Sequence, residues 1–266
     1  MADTFGINKK NRKLLYYLNS SGKNIFSVRE ASEILELPAD KTRLILSYFE
    51  RRGWLTRVKP GLYVSVPLGT ANPHEYREVP WLVAGRVFSP CHIGGWSAAE
   101  YWELTEQIFN SVYVVTSRPF RNKNIKVQGT DFVLRFRKKI NLDHTKGVWI
   151  GTEKVFVSDP SQTIVDILDD PSAGAGIRHA ADIVEAYFRS EAANEEELLD
   201  YIGEFGNKTV YKRLGFILES LGLASEEFVE ACRKKISRGY SALDPTIKIK
   251  GTYNRRWNLR VNAGIR

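Results

Sequence analysis

The stretch Arg51-Arg52-Gly53-Trp54-Leu55-Thr56-Arg57-Val58-Lys59-Pro60-Gly61-Leu62-Tyr63-Val64 decides how the N-terminal part of the chain folds. Gly53 is a helix stop, because glycine enters the left-handed conformation that closes a last turn. Trp54–Val58 and Leu62–Val66 then read as two strands around the Lys59-Pro60-Gly61 turn. Upstream, Leu14, Leu15 and Leu18 place an amphipathic helix over Asn11–Asn19, ended by the polar break Ser20–Asn24. Ser27 and Glu30 have capping-box spacing for a short helix Val28–Leu35. Leu37-Pro38 interrupts, since proline lacks the backbone donor and restricts its predecessor, and a third helix Ala39–Arg52 turns Leu46 and Phe49 inward. Two short helices across a tight break, followed by a hairpin, make a winged helix-turn-helix.

Length and composition bound the rest. A chain of 266 residues is long for one domain and predicts two. With 43% hydrophobic and 12% aromatic residues it can bury a full core. Two cysteines, Cys91 and Cys232, are too few for a disulfide framework and suit a reducing, cytoplasmic setting. The opening MADTFGINKKNRKLLYYL has no apolar signal core, and no apolar run approaches a membrane span. The net charge of +8 is unevenly placed: residues 1–68 carry +6, residues 69–232 carry −7 and residues 233–266 carry +9. Basic ends around an acidic middle attract phosphate polymers at two places.

The charge-free, breaker-rich segment 67–73 sets the expected boundary between a domain over 1–68 and one over 74–266. Beyond it, strands are expected at Val112–Thr116, Ile125–Gln128, Phe132–Arg137, Val148–Ile150 and Val155–Val157. Helices are expected at Tyr76–Phe88, Ala98–Leu104, Ser161–Leu168, Arg178–Arg189, Glu195–Phe205, Thr209–Leu221 and Glu226–Ile236. The fold class is α+β: a winged helix-turn-helix followed by a larger mixed α+β domain. Trp257, Leu259 and Val261 alternate with polar residues and read as a closing strand.

The candidate DNA-reading residues are Lys41, Thr42, Arg43 and Ser47 on the third helix, where such a helix faces the major groove. Arg57 and Lys59 on the wing and Arg29 on the preceding helix would clamp phosphates. A second cationic set, Arg118, Arg121, Lys123, Arg135 and Arg137, is a candidate partner surface, with Phe132, Leu134 and Phe136 on the packed face of the same strand. Gly94-Gly95 before a helix reads as a tight turn with a Ser97/Glu100 capping box rather than a phosphate cradle. Asp159 before Pro160 reads as a helix cap, and Asp166, Asp169 and Asp170 as a solvated face. The histidines lack metal-ligand spacing, Cys91-His92 is a poor nucleophile-base pair, and no Walker loop, HExxH or dinucleotide fingerprint occurs. No cofactor, metal or enzymatic activity is expected.

RRGWLTRVKPGLYV, HIGGWSAAEYWELTEQIFNSVYVVTSR, VFVSDPSQTIVDIL, GNKTVYKRLGFILESLGL and YNRRWNLRV together resemble the AbiEi family of bacterial antitoxins, over nearly the whole chain. The resemblance implies a winged helix that represses its own operon at inverted repeats in double-stranded DNA. It also implies a C-terminal domain that counteracts a nucleotidyltransferase-like toxin, as in type IV systems, without an obligatory stable complex. The protein would then be a monomer or weak dimer, cooperative on DNA, with no membrane association. The rival readings are a stand-alone winged-helix regulator without a toxin and a metal-dependent nucleic-acid enzyme using Asp159, Asp166 or the Gly94-Gly95 turn.

Overall fold

The computed structural model of the protein describes residues 7–67 and 69–266; the remaining residues of the expected N-terminal domain, 1–6 and 68, lie outside it. The N-terminal elements run α1 (Lys9–Ser20), β1 (Ile25–Ser27), α2 (Val28–Leu35), α3 (Ala39–Arg51), β2 (Leu55–Lys59) and β3 (Leu62–Ser65). Asn8 caps α1 and the Ser27/Glu30 capping box closes α2. Glu36, in the left-handed conformation, ends α2 just before Leu37-Pro38. Thr42, Leu46 and Phe49, spaced by one and two helical turns, form the buried stripe of α3. They close over Leu18, Phe26, Ala31, Leu35, Leu55 and Tyr63. The wing sheet has three strands in the order β1-β3-β2.

The chain continues with α4 (Pro80–Val87), β4 (Cys91–Ile93), α5 (Gly95–Tyr101), β5 (Ser111–Thr116), β6 (Asn124–Val127), β7 (Thr130–Phe136), β8 (Thr145–Ile150) and β9 (Glu153–Ser158). Five helices follow, α6 (Pro160–Asp169), α7 (Ile177–Arg189), α8 (Glu195–Phe205), α9 (Thr209–Leu221) and α10 (Glu226–Lys234). The strands β10 (Ser241–Ala242), β11 (Thr252–Asn254) and β12 (Leu259–Val261) close the chain. A six-stranded mixed sheet, ordered β6-β7-β5-β4-β9-β8, forms the middle layer. Both faces of β5 are covered: Val112 and Val114 join a core with α4, whereas Tyr113 and Val115 pack with Trp96 and Ala173. The fold is therefore α+β, with a winged helix-turn-helix ahead of a larger mixed domain.

Several local expectations change. The helix expected from Tyr76 starts at Pro80, because proline suits the first helical turn and Val79 is extended. The expected Ser97/Glu100 box does not form. Helix α5 begins three residues earlier, and the buried Ser97 hydroxyl instead accepts the Tyr113 N–H at 2.9 Å. Gly95 makes that start possible: its φ is +51°, and a Cβ there would lie 2.8 Å from the Tyr113 ring and 2.9 Å from the Ala173 carbonyl. The closing strand is a hairpin, β11 with β12, which buries Trp257 and Leu259 completely while Val261 is half-buried.

The wing sheet and the mixed sheet share a core. Ile25, Val58, Leu62 and Val64 pack with Leu82, Val83, Val87 and Val155. Polar bonds reinforce this contact: Glu153 accepts the Asn24 N–H at 2.7 Å, and Thr152 donates to the Gly22 carbonyl at 2.8 Å. From α4, Arg86 donates to the Ile25 carbonyl at 2.8 Å and to Glu30 at 2.7 Å. Burial would raise the Glu30 carboxyl, but bonds from Arg86, Lys23 and Ser27 outweigh it and bring it from the ordinary 4.5 to about 2. Glu30 thus contributes stability above pH 4.5 that is lost as pH falls toward 2. Glu30→Gln is expected to cost about 1–2 kcal/mol at neutral pH, reduced from the full linkage value because solvent reaches the carboxylate. Urea unfolding of both proteins between neutral and acidic pH checks this: the difference should shrink toward zero as Glu30 protonates, and a constant difference contradicts it.

Candidate nucleic-acid interface

Because Thr42, Leu46 and Phe49 face the core, the opposite face of α3 presents Asp40, Lys41 and Leu44 to solvent, with Arg43 beside them. Lys41 makes no ion pair among the described residues. The Arg43 guanidinium meets Asp40 at 2.8 Å, an exposed pair that a phosphate or guanine edge can displace at small cost. Ser47, half-buried one turn further on, continues this face. Thr42 does not belong to it. Its side chain is fully buried and its hydroxyl donates to the Pro38 carbonyl at 3.1 Å, which anchors the first turn of α3. A short β-branched hydroxyl residue can be read from sequence as surface, yet it satisfies its own polarity within the helix turn.

The wing turns at Gly61, whose φ of +80° suits glycine. Arg57 and Lys59 differ in what holds them. Arg57 bonds to Glu50 at 2.7 Å and lies 5.6 Å from the centre of the Tyr63 ring, so it is tied back to the end of α3. Lys59 is half-buried and pairs with no carboxylate among the described residues. Burial and the nearby Arg118 charge push its ammonium below the ordinary lysine value, the condition under which a phosphate restores the most interaction. Arg29 is exposed and pairs, among the described residues, only with Glu33, one turn along α2.

The second cationic set separates into two groups. Arg118, Arg121 and Lys123 are exposed on the segment between β5 and β6, and Arg118 shares with Lys59 the lining of a largely apolar cavity of about 520 Å³. Arg135 and Arg137 are instead drawn into an internal ion network. Arg135 reaches Asp169 at 3.1 Å and Asp170 at 2.9 Å, and Arg137 reaches Asp169 at 2.7 Å. Asp166, Asp169 and Asp170 are therefore not a solvated face. Burial would raise Asp169, but Arg137, Asn207 and Arg135 hold it below the usual carboxylate range. Phe132 and Leu134 are buried as expected, whereas Phe136, at the strand end, is 47% exposed. Asp159 does cap α6, accepting the Gln162 N–H at 2.8 Å.

Leu44 has no place in the sequence reading. It is 72% exposed on the outer face of α3, one turn beyond Asp40 and Lys41. Its spacing from Asp40 and Ser47 is the available signal, since an apolar side chain there can contact a thymine methyl. Among the described residues no group of three or more His, Cys, Asp and Glu is placed to hold a metal, and no helix is long and apolar enough to cross a membrane. Burial pushes the Cys91 thiol up to about 12, so it is not poised as a nucleophile.

Residues 13–66, from α1 through the wing, match the family model described as "Transcriptional regulator, AbiEi antitoxin". The match is confined to the winged helix-turn-helix. The matched segment contains every candidate residue on α2, α3 and the wing, so the candidate interface lies wholly within the part of the chain that is similar to AbiEi antitoxin regulators. Comparison with curated proteins returns no match. Among solved structures, the RV2827C protein from Mycobacterium tuberculosis is similar at a TM-score of 0.64 and 13% identity, over 96% of this chain and 92% of that one. At that identity the likeness concerns the fold, and it extends from the winged helix-turn-helix through the mixed domain.

Proposed function

We propose that the protein is an antitoxin and autorepressor of the AbiEi kind. Residues 1–68 bind inverted repeats in its own promoter, and residues 74–266 support protection against a nucleotidyltransferase-like toxin. It acts in the cytoplasm, without catalysis and without requiring a stable toxin complex, as a monomer or weak dimer that fills two half-sites cooperatively. The observation that carries the DNA reading is the presentation of Lys41 and Arg43 at the open N-terminal turn of α3, beside a cationic wing. Arg118, Arg121 and Lys123 are the exposed part of the candidate partner surface. Co-expression with the product of the neighbouring gene tests the antitoxin role: growth arrested by that product should be restored by this chain, and unrelieved arrest refutes protection.

The wing makes a separate prediction. Lys59→Ala should weaken operator binding and reduce the slope of log K against log salt by about one, the signature of one lost phosphate contact. Arg57→Ala should change it less, because Glu50 already neutralises Arg57. Titrations of a labelled operator at several salt concentrations distinguish the two side chains; an unchanged slope in the Lys59 variant removes it from the interface.

A further inference from the structure

Away from the DNA-facing surface, a cavity of about 350 Å³ opens in the mixed domain between β4, the segment after β7, and helices α6 and α8. Its inner end holds His92 and Asp166, each only 5% exposed. Neither ring nitrogen of His92 nor the carboxylate oxygen Asp166 Oδ2 has a hydrogen-bond partner among the described residues. Buried polar groups are nearly always paired, so a cluster that is not paired points to a ligand. His92 Nε2 and Asp166 Oδ2 are 3.9 Å apart, too far to bond each other and near enough for one small polar group to bond both. Gly94 borders this space: a Cβ there would crowd Val115 at 3.0 Å and lie in ordinary contact with Asp166 Oδ2 at 3.5 Å and the His92 ring at 3.7 Å.

The free oxygen is held in position. Asp166 Oδ1 accepts from Gln162 at 3.0 Å, and Gln162 Oε1 lies 3.0 Å from His144 Nδ1. His144 in turn stacks on Tyr201, with ring centres 3.6 Å apart and planes within 13°. The outer end has the opposite character. Lys138 and Lys139 are exposed without a carboxylate partner among the described residues, while the rim carboxylate Glu204 is 3.2 Å from His144 Nε2. A ligand satisfying both ends carries a hydrogen-bond donor for the carboxylate inside and an anion for the two ammonium groups outside. The volume is at the lower end of small-molecule sites.

We propose that this cavity is a binding site for a small phosphomonoester bearing a hydroxyl or amino group. The donor group bonds Asp166 and His92, and the phosphate lies against Lys138 and Lys139. Either a sugar phosphate or a mononucleotide has this chemistry. Isothermal titration calorimetry on the full chain tests it with ribose phosphate, AMP, ribose, adenosine and inorganic phosphate as probes. At least one phosphomonoester should bind with one-to-one stoichiometry, about tenfold or more tighter than its dephosphorylated counterpart and than inorganic phosphate. Binding by AMP alone assigns the site to a nucleotide, and comparable binding by ribose phosphate assigns it to a sugar phosphate. The exposed double variant Lys138→Glu/Lys139→Glu should lose about tenfold or more in affinity with an unchanged melting temperature, and Asp166→Asn should weaken the same probe. The proposal is overturned if neither phosphomonoester binds, if inorganic phosphate binds equally well, or if the double lysine variant binds as the wild type does.

Discussion

Replacing Arg213 by alanine is expected to destabilise the protein by about 3–5 kcal/mol, among the largest effects of any single substitution in it. The Arg213 side chain lies on α9 and is 4% exposed, yet all three of its nitrogens are used. Nε donates to the Leu243 carbonyl at 3.0 Å, Nη1 to Leu168 at 2.6 Å and to Asp169 at 2.9 Å, and Nη2 to Ala242 at 3.0 Å. One guanidinium thereby joins the end of α6 to the segment around β10. Asp169, Asp244 and Asp170 oppose the penalty that burial places on its charge. Alanine would strand four buried carbonyls and remove a favourable charge from beside those carboxylates, which keep their other partners. Lysine is not a conservative substitute, because an ammonium cannot reach this planar set, and Arg213→Lys should recover only part of the loss. Urea unfolding measures both; a cost below about 1 kcal/mol for Arg213→Ala contradicts the structural role assigned to the fork.

The largest functional effect is expected from Lys41→Ala combined with Arg43→Ala. Each side chain that reads a base edge contributes about 1–3 kcal/mol, so the pair should lower operator affinity by roughly 30-fold to 25,000-fold. Both residues are exposed, and among the described residues their one ion pair is the surface contact of Arg43 with Asp40. The double variant should therefore keep its melting temperature to within a degree or so. Thr42→Ala should behave the other way, since Thr42 is buried and bonded to the Pro38 carbonyl: stability falls first, and any loss of DNA binding follows it. Parallel melting and operator titrations separate a reading residue from a supporting one.

Signals local in sequence carried much of the fold. The Ser27/Glu30 box, the Leu37-Pro38 break and the stripe through Leu46 and Phe49 act within one or two helical turns, and each appears where the sequence places it. The wing was equally legible from Pro60-Gly61 between apolar runs. What escaped was short or distant. Strands β1 and β4 have three residues each, below the length at which alternation is visible, and β1 runs directly into the cap of α2. The aspartates at the end of α6 meet Arg135 and Arg137 from more than thirty positions away, so the sequence shows two charge clusters but not that they neutralise each other. His92 and Asp166 escaped for the same reason, being separated by most of the mixed sheet. Thr42 and Leu44 exchange the roles their polarity suggests, because helix geometry rather than residue type decides which side faces the core.

Operator titration of the wild-type chain tests the central claim most directly. A duplex carrying the inverted repeats upstream of its own gene should be bound at physiological salt about a thousandfold or more tighter than a random duplex of equal length. Equal affinity for the two duplexes would contradict autoregulation through the winged helix-turn-helix.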